Sequence, residues 1–266
     1  MEASSVTRSF DLSADGRTVS ALLRRARNEL IRVPGAAIPG VMAPTIFFLG
    51  LTAVFGSLSL LPGFTTNTYQ SFLIPVSLLQ GAGFTGAATG VNLARDIEQG
   101  WFDRLLASPA PRPVLLAGMV LSAGLRSLVP AAVLLTVGFS IGVGWPGLPG
   151  LLLALAMTVA WGIIAALWGV TLALRFKSQS AAPLMQSGMF VAILFTTAYA
   201  PLALLQGWLQ DIARINPVTK ILDAARQGFV EGGLTWSDTW PGVLALAGIF
   251  VVMAFFALRG MERTAH

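Results

Sequence analysis

The stretch whose reading decides the fold is Leu93 to Arg112, 93-LARDIEQGWFDRLLASPAPR-112. It places three acidic and three basic residues in a chain that is 55% hydrophobic and only 11% charged. On both sides lie apolar runs of the roughly 20 residues that a helix needs to cross a bilayer core. A charged segment punctuated by Gly100, Pro109 and Pro111 cannot lie in hydrocarbon, where unsatisfied backbone and charge are costly. It is an ordered piece on a membrane surface, placed where another protein could grip it.

Working outward, the apolar runs predict an all-α polytopic membrane protein with six transmembrane helices. The spans fall at about 38–61, 69–93, 114–143, 150–174, 181–205 and 241–258. Pro44 is expected to bend the first. A soluble domain carries about 25% charged residues, which excludes an ordinary globular reading. Before the first span, Val19, Leu22, Leu23, Ala26, Leu30 and Val33 recur at helical spacing, with Arg24, Arg25, Arg27, Asn28 and Arg32 between them. That pattern fits an amphipathic helix lying in the headgroup plane, apolar side down, or a solvated juxtamembrane helix. Residues 1–34 thus form a leader and interface helix, and residues 35–266 the six-helix transmembrane domain.

Orientation follows from counting lysine and arginine by side. Thirteen fall with the N-terminus, the 93–112 segment, Arg175, Lys177 and the C-terminus; three, Arg214, Lys220 and Arg226, fall on the other side. The positive-inside rule makes both termini and the 93–112 segment cytoplasmic. The net charge of +5 is therefore a topology signal, and no nucleic-acid partner is expected.

Within the cytoplasmic segment, Ile97, Trp101, Leu105 and, one step off, Phe102 share a helical face. Asp96, Glu98, Asp103 and Arg104 surround it, Gly100 interrupts it, and the prolines from Pro109 to Pro113 close it. The alternative is a plain connecting loop, which gains nothing from exposing Trp101 beside Phe102. In the 206–240 segment, two short helices are expected to break at Asn216-Pro217. Their apolar and polar faces fit an outer-surface amphipathic loop resting on the headgroups. Arg126, inside the third span, is a pathway or partner candidate, or else an arginine that snorkels to the interface. Gly86 with Gly90, and Gly138 with Gly142, have the small-xxx-small spacing of close helix contacts, within one subunit or between two.

What the chain lacks also decides much. It has no cysteine, its single histidine is His266, and its two lysines follow no glycine-rich phosphate loop. No metal site, no nucleophile–base pair and no bound cofactor is expected on this polypeptide. Ion-gradient transport, the alternative class, lacks both the coupling carboxylates and a visible internal repeat.

The run Arg95-Asp96-Ile97-Glu98-Gln99-Gly100, with Asp103-Arg104-Leu105-Leu106, Pro109 and Arg112, resembles one loop of the permease subunits of type-2 ATP-binding-cassette exporters. It lies between their second and third spans and is most similar in the daunorubicin-resistance-like permeases. Gly207-Trp208-Leu209, Asn216-Pro217-Val218-Thr219, Asp223-Ala224, Arg226 and Gly232-Gly233 resemble that family's stretch before the last span. The resemblance implies that Asp96, Glu98, Gly100, Trp101, Phe102, Asp103, Arg104 and Leu105 form a coupling helix docking into a separate P-loop ATPase, two copies of which would bind ATP and magnesium. It implies an interface helix carrying Arg24, Arg25 and Arg27, and outer re-entrant helices in which Trp208, Asn216, Pro217 and Arg226 are gate candidates. It further implies a second permease copy or sister permease, lipid contact, the bacterial cytoplasmic membrane, and export of a hydrophobic or amphipathic drug, lipid or glycolipid. Where the family usually has glutamate near positions 96 and 103, this chain has aspartate, whose carboxylate reaches less far.

Overall fold

The computed structural model describes residue 24, residues 38–62, 64, 66, 68–107, 110–230 and 233–263. Among these the protein is all α. Helix α1 is Ile38–Phe55, α2 Tyr69–Glu98, α3 Trp101–Leu106, α4 Arg112–Arg126 and α5 Leu128–Ser140. Helix α6 is Gly147–Phe176, α7 Ala182–Leu194, α8 Gly207–Ile215, α9 Pro217–Arg226 and α10 Trp236–Arg263. Arg24 is helical and exposed, while Arg25 and Arg27 lie outside the described residues, as do Ser108 and Pro109.

The hub is α2. Of its most apolar 18-residue window 83% is buried inside the chain, against 11% for α1 and 17% for α10. It packs chiefly against α6, and glycine allows the approach. A methyl at Gly86 would overlap the Gly162 carbonyl and Ala165, and one at Gly90 would overlap the Gly169 backbone. Without water between helices, such contacts rest on close van der Waals fit. The Gly86–Gly90 pair therefore joins helices of one chain. The second pair divides: Gly138 packs on Ile74 of α2, whereas Gly142 lies beyond α5 in a turn with φ of 98°.

Five helical runs among the described residues are long and apolar enough to cross a membrane, α4 and α5 counting together as Arg112–Ser140, where six were expected. The third span is broken at Ser127 into α4 and α5. Pro130 has no N–H to return to the Arg126 carbonyl, and the Ser127 hydroxyl donates back to Gly124 at 2.5 Å, a pairing that bends helices. Pro44 stands inside α1, which loosens into a 3-10 turn at Gly56–Leu60. The large departure is the expected fifth span, 181–205. Its helix, α7, has 13 residues and ends at Leu194. At 1.5 Å per residue that is about 20 Å, short of the roughly 30 Å hydrocarbon thickness. Beyond it the chain continues non-helically to a 3-10 turn at Leu202–Leu204.

Candidate functional site

Two ends of the bundle collect the polar chemistry. At the Glu98 end, α2 stops because Gly100 adopts a left-handed φ of 69°, with the Gln99 and Gly100 amides closing onto the Arg95 and Ile97 carbonyls at 3.0 Å. Gly100 opens onto free space, so backbone conformation and not crowding requires glycine here. Helix α3 then starts at Trp101. Trp101 is 50% exposed, and Asp103 and Arg104 are exposed on the same short helix. Phe102 differs from the expected shared face: it is 1% exposed and belongs to the core, with Ile97 and Leu105 packed partly against it. At one residue per 100° of turn, Phe102 cannot face outward beside Trp101 while the core claims it. Asp96 is half-buried on the last turn of α2.

Glu98 is exposed and held by its own chain. Its carboxylate accepts from the Ser178 hydroxyl and the Gln179 amide at 2.8 Å, and from the Gln179 side chain at 2.7 Å. These donors lie in the turn between α6 and α7, some 80 residues on.

At the Tyr69 end, the non-helical stretch after α7 is held by side chains from elsewhere. Asn216 donates through Nδ2 to the Ala192 and Phe195 carbonyls at 3.1 and 2.9 Å. Its Oδ1 accepts from the Val218 amide at 2.9 Å and so caps α9, whose first residue is Pro217. Arg226, 5% exposed, donates through Nη2 to the Thr197 carbonyl at 3.0 Å and through Nε to the Phe72 carbonyl at 3.1 Å. Its guanidinium lies 3.7 Å over the Phe72 ring. Tyr69 donates to the Tyr199 carbonyl at 3.1 Å, and Gln80 donates to the Tyr199 hydroxyl at 2.8 Å. Buried non-helical backbone needs such partners, and here they come from α2, Asn216 and α9.

Asp223 approaches Arg226 at 3.9 Å, but its side chain is 41% exposed, so the pair adds little alone. The carbonyls position the guanidinium. Burial pushes Arg226 down to about 10, opposed by Asp223, which leaves it charged at neutral pH. Beside this clamp lies a cavity of about 570 Å³, bordered by Phe72, Thr197, Arg214, Lys220, Asp223 and Arg226. Trp208 stands apart on α8, 60% exposed, with its ring against Phe195 at 6.4 Å. Of the four gate candidates, Asn216 and Arg226 meet at the non-helical stretch; Pro217 is exposed beside Asn216 and serves α9.

Arg126 lies at the α4–α5 break, half-buried, and donates to the Thr89 hydroxyl of α2 at 2.9 Å. The sequence pattern singled out none of Tyr69, Tyr199, Ser178 and Gln179. One signal was available for the first two: they are the chain's only tyrosines, Tyr69 at the start of one apolar run and Tyr199 inside another.

Asn216 offers a direct check. Asn216→Ala should lower the unfolding free energy in detergent by more than the roughly 1 kcal/mol of a lost N-cap. Asn216→Asp keeps the cap acceptor and loses both donors, so its midpoint should fall between wild type and Asn216→Ala in thermal melts.

Comparison with known proteins bears on what these ends do. Residues 17–230 match the model of the family described as ABC-2 type transporter. The chain is 30% identical over 244 residues to the "Probable doxorubicin resistance ABC transporter permease protein DrrC" of Mycobacterium tuberculosis, covering 91% of this chain and 86% of that one. It is 28% identical over 244 residues to the daunorubicin resistance ABC transporter permease protein DrrB1 of Streptomyces coeruleorubidus, covering 89% and 83%. Over 186 residues it is 25% identical to the "Probable multidrug ABC transporter permease YbhR" of Escherichia coli K12, covering 65% and 48%.

Proposed function

The chain belongs to the ABC-2 type transporter family and is a multi-pass membrane permease, and from that premise we propose how it works: a separate P-loop ATPase drives it to export a hydrophobic or amphipathic drug, lipid or glycolipid. The observation that carries this reading is the glycine-pivoted α3, which presents Trp101, Asp103 and Arg104 outward while Phe102 anchors it to the core. A short helix fixed on one side and charged on the other suits a docking element whose displacement reaches the spans. ATP and magnesium bind on the partner, present in two copies. The 93–112 end faces the cytoplasm across the bacterial inner membrane, and both termini lie on that side. The exposed, helical Arg24 meets the same surface.

At the outer end, the Asn216–Arg226 clamp and the adjoining cavity serve as the gate, with Trp208 at its rim. The sparse cover of α1 and α10 by the rest of the chain supports contact with lipid and with a second permease, identical or sister. Relatives named for doxorubicin and daunorubicin resistance favour an amphipathic cargo.

The test is co-purification with the candidate ATPase from detergent. Wild type should hold the ATPase, Gly100→Pro combined with Arg104→Glu should release it, and Arg104→Glu alone, which leaves the turn intact, should weaken binding without lowering the permease's own melting midpoint. Proline cannot adopt φ of 69°, and the reversed charge opposes docking. A wild-type permease that retains no ATPase would overturn the reading and put ion-gradient transport first.

A further inference from the structure

Glu98 stands among the charges expected to meet the ATPase, yet its carboxylate is occupied by its own chain. An ionised carboxylate has about four acceptor positions, and three are filled here by Ser178 and Gln179. The bonds join two turns that are otherwise remote in sequence. One is the α2–α3 turn, which pivots on Gly100 at φ of 69°; the other is the α6–α7 turn, which pivots on Lys177 at φ of 52°. Lys177 is the only non-glycine residue with positive φ among the described residues. A left-handed lysine is a strained conformation that the surroundings must hold. Its neighbour Ser178 caps the 3-10 turn Gln179–Ala181 by accepting from the Ser180 amide at 3.2 Å, and the same hydroxyl donates to Glu98. That turn leads directly into α7, and the far end of α7 hands over to the stretch clamped by Asn216 and Arg226.

We propose that Glu98 is a positioning residue, an intramolecular strut that carries displacement of the α3 docking element into the start of α7 and thence to the clamped stretch at the opposite end. Glu98 is exposed, so its hydrogen bonds contribute little to stability. What they fix is distance: α2, α3 and α7 move together at this end. The inference rests on the permease reading and assigns Glu98 a role distinct from that of Trp101, Asp103 and Arg104, which face outward.

The experiment uses the full chain with its ATPase in proteoliposomes. ATPase binding is measured by titration, and permease-stimulated ATP hydrolysis as separate kcat and KM. Glu98→Ala should lower the stimulated kcat by about tenfold and leave the ATPase Kd and the KM for ATP unchanged. Ser178→Ala with Gln179→Ala should act in the same direction. The triple variant should be no worse than Glu98→Ala, because all three residues form one link. Weakened ATPase binding in Glu98→Ala, beside wild-type behaviour of the Ser178→Ala, Gln179→Ala pair, would overturn the strut and make Glu98 a partner contact. Strict additivity would overturn it as well. A wild type that neither binds nor stimulates the ATPase would instead remove the ATP-driven reading on which the strut rests.

Discussion

Gly90→Leu should leave little folded permease to purify, and even Gly90→Ala should lower the yield and the melting midpoint sharply. The Gly90 Cα faces the Gly169 backbone across the α2–α6 contact, and any Cβ there overlaps main-chain atoms of Gly169. Backbone cannot rotate out of the way as a side chain can, so the helices must separate. Inserting carbon into a well-packed interface costs about 1–3 kcal/mol where side chains can adjust, and more where they cannot. Separation at Gly90 also loosens Gly86 against Gly162 and Ala165, one turn away on the same face. The control is Gly50→Leu on α1, where a Cβ meets nothing within 4 Å. Gel-filtration profiles of the two variants in detergent should differ, with Gly50→Leu monodisperse and Gly90→Leu aggregated. Equal behaviour would mean that the α2–α6 seam does not govern folding.

Arg226→Ala is expected to have the second largest effect, and Arg226→Lys to recover only part of it. Alanine strands the Thr197 carbonyl, takes a second donor from the helical Phe72 carbonyl and removes the cation over the Phe72 ring. Each buried acceptor left unsatisfied costs roughly 1–3 kcal/mol, and a desolvated cation–π contact is worth about 2 kcal/mol. A loss of about 4 kcal/mol moves the melting midpoint of a chain this size by roughly 10 °C. Lysine supplies charge but no planar fork, so it cannot reach carbonyls on α2 and after α7 at once. Asp223→Asn should change the midpoint little, because the carboxylate is partly exposed and lies 3.9 Å away. A larger loss from Asp223→Asn than from Arg226→Lys would show that the ion pair, and not the carbonyl set, holds the clamp.

These contrasts mark how far the sequence could be read. The charged 93–112 segment, the pivot at Gly100, the break at Asn216-Pro217 and the Gly86–Gly90 seam were legible because each depends on local rules of helix period, turn chemistry and small-residue spacing. The termination of α7 at Leu194 was not. Ala-Ile-Leu-Phe-Thr-Thr-Ala reads as continuous span, and the donors that satisfy its opened backbone come from Asn216 and Arg226, more than twenty residues on. Phe102 was placed on the wrong side of α3 for a related reason. A six-residue helix gives too few positions for periodicity to tell a core face from a surface face. The hydrogen bonds that Glu98 accepts were likewise not legible, because their donors, Ser178 and Gln179, lie some 80 residues on.

The burial of α2 also bears on how the protein is made. Its mean hydropathy, 1.3, is the lowest of the five long helices, the others running from 1.8 to 2.4. Its Ser, Thr, Gln and Gly residues suit contact with α6 more than contact with acyl chains. During synthesis α2 leaves the ribosome about fifty residues before the segment that ends at Phe176. Over that interval the insertion machinery must shelter a helix that lipid solvates poorly. Depletion of a membrane-resident insertase should therefore harm this permease at α2 first, with degradation fragments that end ahead of Gly147.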